Sequence, residues 1–442
     1  MEAGLFRFLR FSLGLEGEVK GLLDGRKGAF DWDACYQFAK RQTLVGVLFD
    51  GIQRLPKELA PTRPLLLRWL SDSESIRRRN MRMDRASAYI YNKVCTAGFR
   101  CCILKGQGNA LLYPHPSSRI PGDVDVWVMA NREELRHIAL SLTEGDGSSL
   151  QESLNHMGLT VHGVSVELHS TPALLNSPLH NSRLQRWLKR NADLQCSNRI
   201  ALPNNAGEVA VPTVSFNIIY QLCHLFHHCF YEGVGLRQIV DYFFVLKNTD
   251  FSGNTDEASG NTDCFSGNTD CDGVLSNTDF TDNTDRIGGN AESDGSLMNT
   301  DCADFLDSSS GGLGEVDSGG ALVALQEELK WLGLGEFAGA VMYVLREVMG
   351  LDEKRMICAP DERRGRLLLE EIMAGGNFGH YDTRNHFGQG ALWHNIQRFR
   401  RDWRMLRFYP SEALSEPLFR ACHFLWRWKQ KHTGMPKERN LN

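Results

Sequence analysis

The stretch from residue 103 to residue 128 constrains the fold more than any other part of this 442-residue chain. An apolar run ends at Lys105-Gly106, where a strand would turn sharply into a short helix over residues 107–113. After a Pro-rich loop, Gly122 leads into alternating polar and apolar residues, which predicts a second strand with Asp123 and Asp125 on one face. The stretch therefore predicts two strands joined through a tight turn.

Two carboxylates on one face of a strand favour a shared cation. Asp123 and Asp125 supply oxygen ligands, which Mg²⁺ prefers, and this ion accepts substrate phosphates at its other positions. The turn at Lys105-Gly106 exposes backbone N–H groups at the start of a helix, which favours an anion. An Asp-x-Asp triplet also occurs in solvated turns, so the residues alone leave both interpretations open.

The order of these residues resembles that of a known enzyme group. Leu104-Lys105-Gly106, Tyr113-Pro114, Arg119 and Asp123-Val124-Asp125 are similar to the pattern of nucleotidyltransferases of the DNA polymerase beta superfamily, and most similar to its bacterial uncharacterised nucleotidyltransferase family. The resemblance implies an α/β (α+β) fold, in which a polymerase-beta-type core with a small mixed sheet is flanked by N- and C-terminal helical regions. The sequence departs from many relatives at Gln107, where they carry a phosphate-binding Ser.

The superfamily places a third carboxylate on a neighbouring strand. Residues 160–169 predict two strand arms joined near His162-Gly163, with Glu167 and His169 on one face of the second arm. The family shows an acidic residue, an apolar residue and His at this place. The resemblance therefore implies that Glu167 completes a metal-binding and catalytic set with Asp123 and Asp125.

The resemblance implies transfer of a nucleoside monophosphate from an NTP to an acceptor hydroxyl, with two Mg²⁺ ions about 3.5 to 4 Å apart. The three carboxylates would bind the ions, and Lys105, Gly106, Gln107 and Arg119 would contact the nucleotide. The acceptor is expected to be a small molecule or a surface-polysaccharide precursor. The alternatives are a toxin-like enzyme acting on RNA or protein, and a non-catalytic scaffold that keeps the fold.

Composition divides the chain into four regions. Residues 1–97 are predicted to be helical, with helices near 34–55 and 64–96, and residues 98–205 form the expected catalytic core. A C-terminal helical domain would comprise 206–247 and 319–435. Between its parts, residues 248–318 repeat Asn-Thr-Asp seven times and hold 16 acidic residues but one basic residue. So acidic a tract with few apolar residues predicts a disordered insert.

A His-rich helix is predicted over residues 215–230. His224 and His228 would share a face at i, i+4 beside His227. Zinc would need further ligands, so a metal site and buried core histidines both stay open. Farther along, Arg237 is expected either near the nucleotide or in a helical pair with Asp241.

Charge and hydropathy limit the expected partners and location. Outside the insert the chain is mildly basic, which suits an anionic nucleotide, but it lacks the dense basic stripe of a nucleic-acid binder. No signal peptide or transmembrane run is evident, and the irregularly spaced cysteines suit a reducing compartment, so we expect a cytoplasmic protein. In the last helix, Leu418, Cys422, Leu425 and Trp426 share a face near basic residues, which favours packing on the core or contact with an anionic membrane.

Overall fold

The computed structural model describes residues 2–17, 30–143, 150–153, 155–249, 318–382, 384 and 391–432. Met1–Phe251 and Gly319–Asn442 form one compact unit. Ser252–Ser318 form a second unit, of which only Ser318 is described. The expected disordered insert therefore lies almost entirely outside the described residues.

The described part of the N-terminal region contains the α-helices α1 (Glu2–Ser12), α2 (Trp32–Arg41), α3 (Val45–Gln53) and α4 (Arg63–Thr96). The single helix predicted near 34–55 is wrong, because the chain breaks at Thr43, whose φ is 54°. Tertiary contacts of the neighbouring Gln42 account for the break. Its side-chain amide donates to the Ile372 carbonyl at 3.1 Å and accepts from the Leu236 N–H at 2.9 Å.

A small mixed sheet follows, as the resemblance implied. Its strands are β1 (Cys101–Leu104), β2 (Val124–Val128), β3 (Gln151–Glu152), β4 (His156–Val161) and β5 (Val164–His169), in the order β1-β2-β5-β4-β3. Strands β2 and β5 pair in parallel, and the other neighbours pair antiparallel. Helix α5 (Gly106–Ala110) follows β1, and α6 (Arg132–Leu142) follows β2.

The rest of the described chain is mostly helical. It contains α7 (Pro178–Ser197), a hairpin of β6 (Arg199–Leu202) and β7 (Gly207–Ala210), α8 (Val214–Tyr231), α9 (Leu236–Lys247), α10 (Ser318–Trp331), α11 (Gly335–Met349), α12 (Glu362–Gly375), α13 (Ala391–Leu406) and α14 (Pro410–His432). Among the described residues, no helix has both the length and the apolarity needed to cross a membrane.

The two faces of the sheet pack against different helices. Val124, Val126 and Val128 belong to a core formed with α4 and α6. Trp127 points the other way and stacks on Phe216 of α8, with 5.8 Å between ring centroids. Because side chains alternate along a strand, Asp125 shares the face of Trp127. The predicted site residues of β2 therefore lie on the side of the C-terminal helices.

The last helix, α14, leaves much of its apolar face in solvent. Leu418 and Leu425 are 66% and 60% exposed, and Cys422 is exposed as well. The core-packing interpretation is therefore wrong for these three residues. Trp426 is half-buried, and the Arg132 guanidinium lies 4.7 Å from the centre of its ring.

Candidate active site

Strand pairing brings the three predicted carboxylates together. Asp123 immediately precedes β2, Asp125 lies within it, and the parallel register sets Glu167 of β5 directly opposite Asp125. One oxygen from each carboxylate can be chosen so that all three lie within 4.8 Å of one another. The arrangement could hold a divalent cation through oxygen ligands.

Electrostatic repulsion within this group is visible in the pKa values. The negative charge of Asp125, together with burial, raises the pKa of Asp123 above its ordinary value. Burial alone would raise the pKa of Asp125 as well. The Lys105 ammonium and a hydrogen bond from His169 lower it by more than burial raises it, so its pKa lies well below the usual range. Asp125 is therefore readily ionised, whereas the neighbouring negative charge makes Asp123 harder to ionise.

Lys105 enters the site from the end of β1. Its Nζ lies 2.9 Å from Asp125 Oδ2 and 3.2 Å from His224 Nε2. The backbone reaches this position through two consecutive residues with positive φ, 50° at Lys105 and 35° at Gly106. Such a turn is unusual for a residue with a side chain, and it aims the ammonium at the carboxylates.

Two imidazoles from adjacent strands complete the acidic side of the site. His169 Nε2 lies 3.0 Å from Asp125 Oδ1 and 3.4 Å from Glu167 Oε2, and these contacts outweigh burial and raise the pKa of His169. His156 Nε2 lies 3.8 Å from Glu167 Oε1, and burial lowers the pKa of His156. Sequence analysis did not assign His156 to the site, although an antiparallel hairpin centred on residues 162–163 places it opposite His169.

Arg119 and Gln107 have other contacts. The Arg119 guanidinium, only 3% exposed, donates to both carboxylate oxygens of Asp241 at 2.7 and 2.8 Å. Tyr113 donates to the same carboxylate, so Asp241 pairs with Arg119 instead of with Arg237 one helical turn away. The Gln107 amide donates to Asp84 in a separate cavity of about 260 Å³. The structure therefore does not bring the Gln107 side chain to the carboxylates, and it places Arg119 in a buried ion pair.

The histidines of α8 face the same cavity as the carboxylates. His224 Nε2 lies 3.0 Å from His228 Nε2, and the ring of His227 stacks on Tyr231. Burial lowers the pKa of His224 strongly and that of His227 to about 3, so both rings are neutral near pH 7. Within the described part of the chain, these histidines belong to no group of three possible metal ligands. These half-buried rings line the cavity instead of packing in the hydrophobic core, so the core-histidine interpretation does not describe them, and the zinc site stays a prediction.

The cavity around these groups measures about 520 Å³, a size typical of ligand sites. Carboxylates of β2 and β5 line it, and so do the aromatic rings of Tyr231, Phe378 and Phe419. Phe378 has a φ of 52°, which is strained for an aromatic residue, and its ring lies 5.0 Å from that of His228. Strained residues cluster at binding sites, which draws attention to Phe378.

A family profile and a solved structure show similarity to this chain. A family profile described as "Uncharacterised nucleotidyltransferase" matches residues 28–259, slightly more than half of the chain. The match includes all three carboxylates, Lys105 and the histidines of α8. No curated protein matches.

One solved structure with a detectable similarity is an antigenic nucleotidyltransferase-like protein from Paracoccidioides brasiliensis. The two chains are 16% identical, and the matched region covers 37% of this chain and 75% of the other. The TM-score is 0.25, so this neighbour supports no statement about individual residues.

Proposed function

Because the chain belongs to the uncharacterised nucleotidyltransferase family, we propose that it transfers a nucleoside monophosphate from an NTP to a hydroxyl group. Asp123, Asp125 and Glu167 would bind the divalent cations that the reaction uses. The observation that carries the proposal is the parallel register of β2 and β5, which sets Glu167 beside Asp125. That register completes a three-carboxylate group next to Lys105.

The donor set fits Mg²⁺. Carboxylate oxygens are its preferred protein ligands, and its remaining positions suit water and substrate phosphates. The raised pKa of Asp123 reflects repulsion from Asp125, which a bound cation would relieve. Two Mg²⁺ ions, when bound, would supply charge neutralisation at the triphosphate and favour ionisation of the acceptor hydroxyl.

The reaction forms a bond between the acceptor oxygen and the α-phosphorus and breaks the bond from that phosphorus to pyrophosphate. Glu167 is the more exposed partner in the β2–β5 pair, with 32% of its side chain accessible against 6% for Asp125. We assign it to bind the acceptor hydroxyl and accept its proton. Lys105 would exchange Asp125 for a phosphate oxygen and stabilise the charge on the departing pyrophosphate.

The aromatic wall of the cavity suits the nucleobase. Phe378 and Phe419 line the same cavity as the carboxylates, and bases stack favourably on aromatic rings. Because the reacting groups lie within a cavity, we propose a small-molecule acceptor rather than RNA or protein.

Labelled nucleotides test this function. Purified protein is incubated with each α-labelled NTP, Mg²⁺ and a cell extract, beside Asp123→Asn and a control, Asp193→Asn, whose carboxylate lies in an exposed ion pair. We expect label in the small-molecule fraction. The transfer rate should fall by about a hundredfold or more in Asp123→Asn and should be unchanged in the control. Full activity in Asp123→Asn would exclude the mechanism, and label on RNA or protein would assign the other acceptor class.

We also propose that the exposed face of α14 contacts anionic membrane surfaces. Leu418 and Leu425 are largely exposed, and aromatic and basic residues accompany them, a composition that suits the lipid interface. Leu425→Glu should reduce co-sedimentation with vesicles of anionic phospholipid several-fold. Equal sedimentation of this variant and the wild type would exclude the contact.

A further inference from the structure

A second group of potential ligands adjoins the carboxylates. His156 of β4 pairs directly with His169 of β5, and Glu167 lies two residues before His169 on the same face. One ligand atom from each of the three side chains lies within 4.8 Å of the others. We infer that His156, Glu167 and His169 form a second site, which shares Glu167 with the carboxylate group, for a divalent transition-metal ion of the Zn²⁺ class.

The distances suit such an ion. Zinc binds imidazole nitrogen and carboxylate oxygen at about 2.0 to 2.2 Å, so two ligands in a tetrahedral site lie roughly 3.3 to 3.6 Å apart. The observed distances to Glu167 oxygens are 3.4 Å from His169 Nε2 and 3.8 Å from His156 Nε2. The two distances run to different oxygens of Glu167, so binding would draw the three ligand atoms, now within 4.8 Å of one another, closer together. His169 Nε2 would exchange its 3.0 Å contact with Asp125 Oδ1 for the ion.

The tautomer of His156 gives an independent reason. Its Nδ1 lies 3.3 Å from Asn155 Oδ1, and in the tautomer with the proton on Nδ1 this contact is a hydrogen bond. In that tautomer the unprotonated Nε2 lies 3.8 Å from Glu167 Oε1. Two acceptors that face each other need a cation or a proton between them, and Nδ1–H···O contacts of this kind orient metal-binding histidines.

The ligand types separate this site from the all-carboxylate group. Mg²⁺ prefers oxygen ligands, whereas two imidazoles among three ligands favour Zn²⁺ and related ions. Three protein ligands also leave a fourth position open, as in catalytic zinc sites. The alternative role for these imidazoles is to orient Asp125 and Glu167 by hydrogen bonding, which would need no metal.

Glu167 belongs to both groups, which gives the inference a consequence that rests on the proposed function. An ion held by the imidazoles would lie beside one held by Asp123 and Asp125. With both groups occupied, the proposed enzyme would hold ions of two kinds, Mg²⁺ bound by oxygen and a Zn²⁺-class ion bound largely by nitrogen.

Cobalt and zinc binding test the site without any nucleotide. The metal-free full-length protein is titrated with Co²⁺, followed by visible absorption, and with Zn²⁺, followed by calorimetry. The variants are His156→Ala and, as a control, His137→Ala, an exposed residue of α6. Circular dichroism checks that each variant is folded.

We expect the protein to bind one equivalent of Co²⁺. Its visible spectrum should be that of a cobalt ion with few ligands, all of them nitrogen or oxygen, and should show no thiolate charge-transfer bands. His156→Ala should lower Zn²⁺ affinity at least tenfold, and His137→Ala should not change it. Equal Zn²⁺ affinity in His156→Ala and wild type, or tighter binding of Mg²⁺ than of Zn²⁺, would overturn the inference. Asp123→Asn separates the two proposals, because it should lose nucleotidyl transfer yet keep the cobalt spectrum.

Discussion

Lys105 and Asp125 form an ion pair at the junction of β1 and β2, with 2.9 Å between Nζ and Oδ2. In the proposed mechanism the lysine binds phosphate and the aspartate binds metal, so each group neutralises the other until substrate and cation separate them. His224 Nε2, 3.2 Å from the same ammonium, gives Lys105 a second contact that does not depend on Asp125.

Replacing Lys105 by Met tests its contact with phosphate. Met keeps an unbranched apolar side chain and removes the charge, so we expect the NTP dissociation constant to rise by about tenfold or more, the scale of one charge-assisted hydrogen bond. Calorimetry in the presence of Mg²⁺ measures this change. Lys189→Met, on the exposed surface of α7, is the matched control. Unchanged affinity in Lys105→Met would remove this residue from the nucleotide site.

The raised pKa of His169 predicts a pH-dependent contribution to stability. A group whose pKa rises on folding stabilises the protein fully below its unfolded pKa, about 6.5, and loses that contribution as pH rises through the folded pKa. Urea unfolding of wild type and His169→Gln should therefore differ most below about pH 6.5, and the difference should shrink as pH rises. A difference that grows with pH would contradict the assigned shift.

The buried pair of Arg119 and Asp241 should contribute to stability through the cost of breaking it. Asp241→Asn leaves the guanidinium buried without a counter-charge, and such losses are typically about 3 kcal/mol or more in the free energy of unfolding. Glu328→Gln, which disrupts the exposed pair with Arg190, should cost under about 1 kcal/mol. Equal and small losses in both variants would show that Asp241 does not hold Arg119 strongly. The guanidinium could then contact the nucleotide.

We propose that residues 248–318 are an insert that catalysis does not require. Among the described residues, those that line the cavity lie within 105–241 and 378–423. Replacing residues 250–317 by a short Gly-Ser linker should shift Tm by at most a few degrees, because closure entropy depends weakly on loop length. Nucleotide binding should be unchanged, as measured by the same calorimetry. A large loss of stability would show that the segment supports the helices on either side.

The local parts of the fold were predictable because their signals are local. Alternation along β2 and the His162-Gly163 turn, where φ is 49° and 73°, specify strands and a hairpin without reference to the rest of the chain. The long helix near residues 64–96 was also correct, as α4 spans Arg63–Thr96. The break at Thr43 was not predictable, because it depends on hydrogen bonds from Gln42 to residues about 200 and 330 positions away.

In the candidate site, too, local features were predictable from the sequence and long-range contacts were not. Spacing alone placed Asp123 and Asp125 on one face, and the family pattern indicated Glu167. Sequence spacing could not show that Asp241 binds Arg119 from 122 positions away, or that Lys105 meets His224 on α8. Those contacts arise from the packing of α8 and α9 against the sheet, which no short motif encodes.

The backbone of Lys105, with φ 50° and ψ −127°, affects how substitutions at this position change the stability of the protein. The conformation is that of the first central residue of a type II′ turn, where glycine is usual and a side chain costs on the order of 1 to 3 kcal/mol. Lys105→Gly would therefore relieve strain while it deletes the ammonium. Asp125 is buried and would lose this counter-charge, so the gain and the loss oppose each other in the free energy of unfolding. Lys105→Met keeps the backbone strain and removes only the charge, and comparing the two variants therefore measures how much stability this position gives up to hold an ammonium beside the carboxylates.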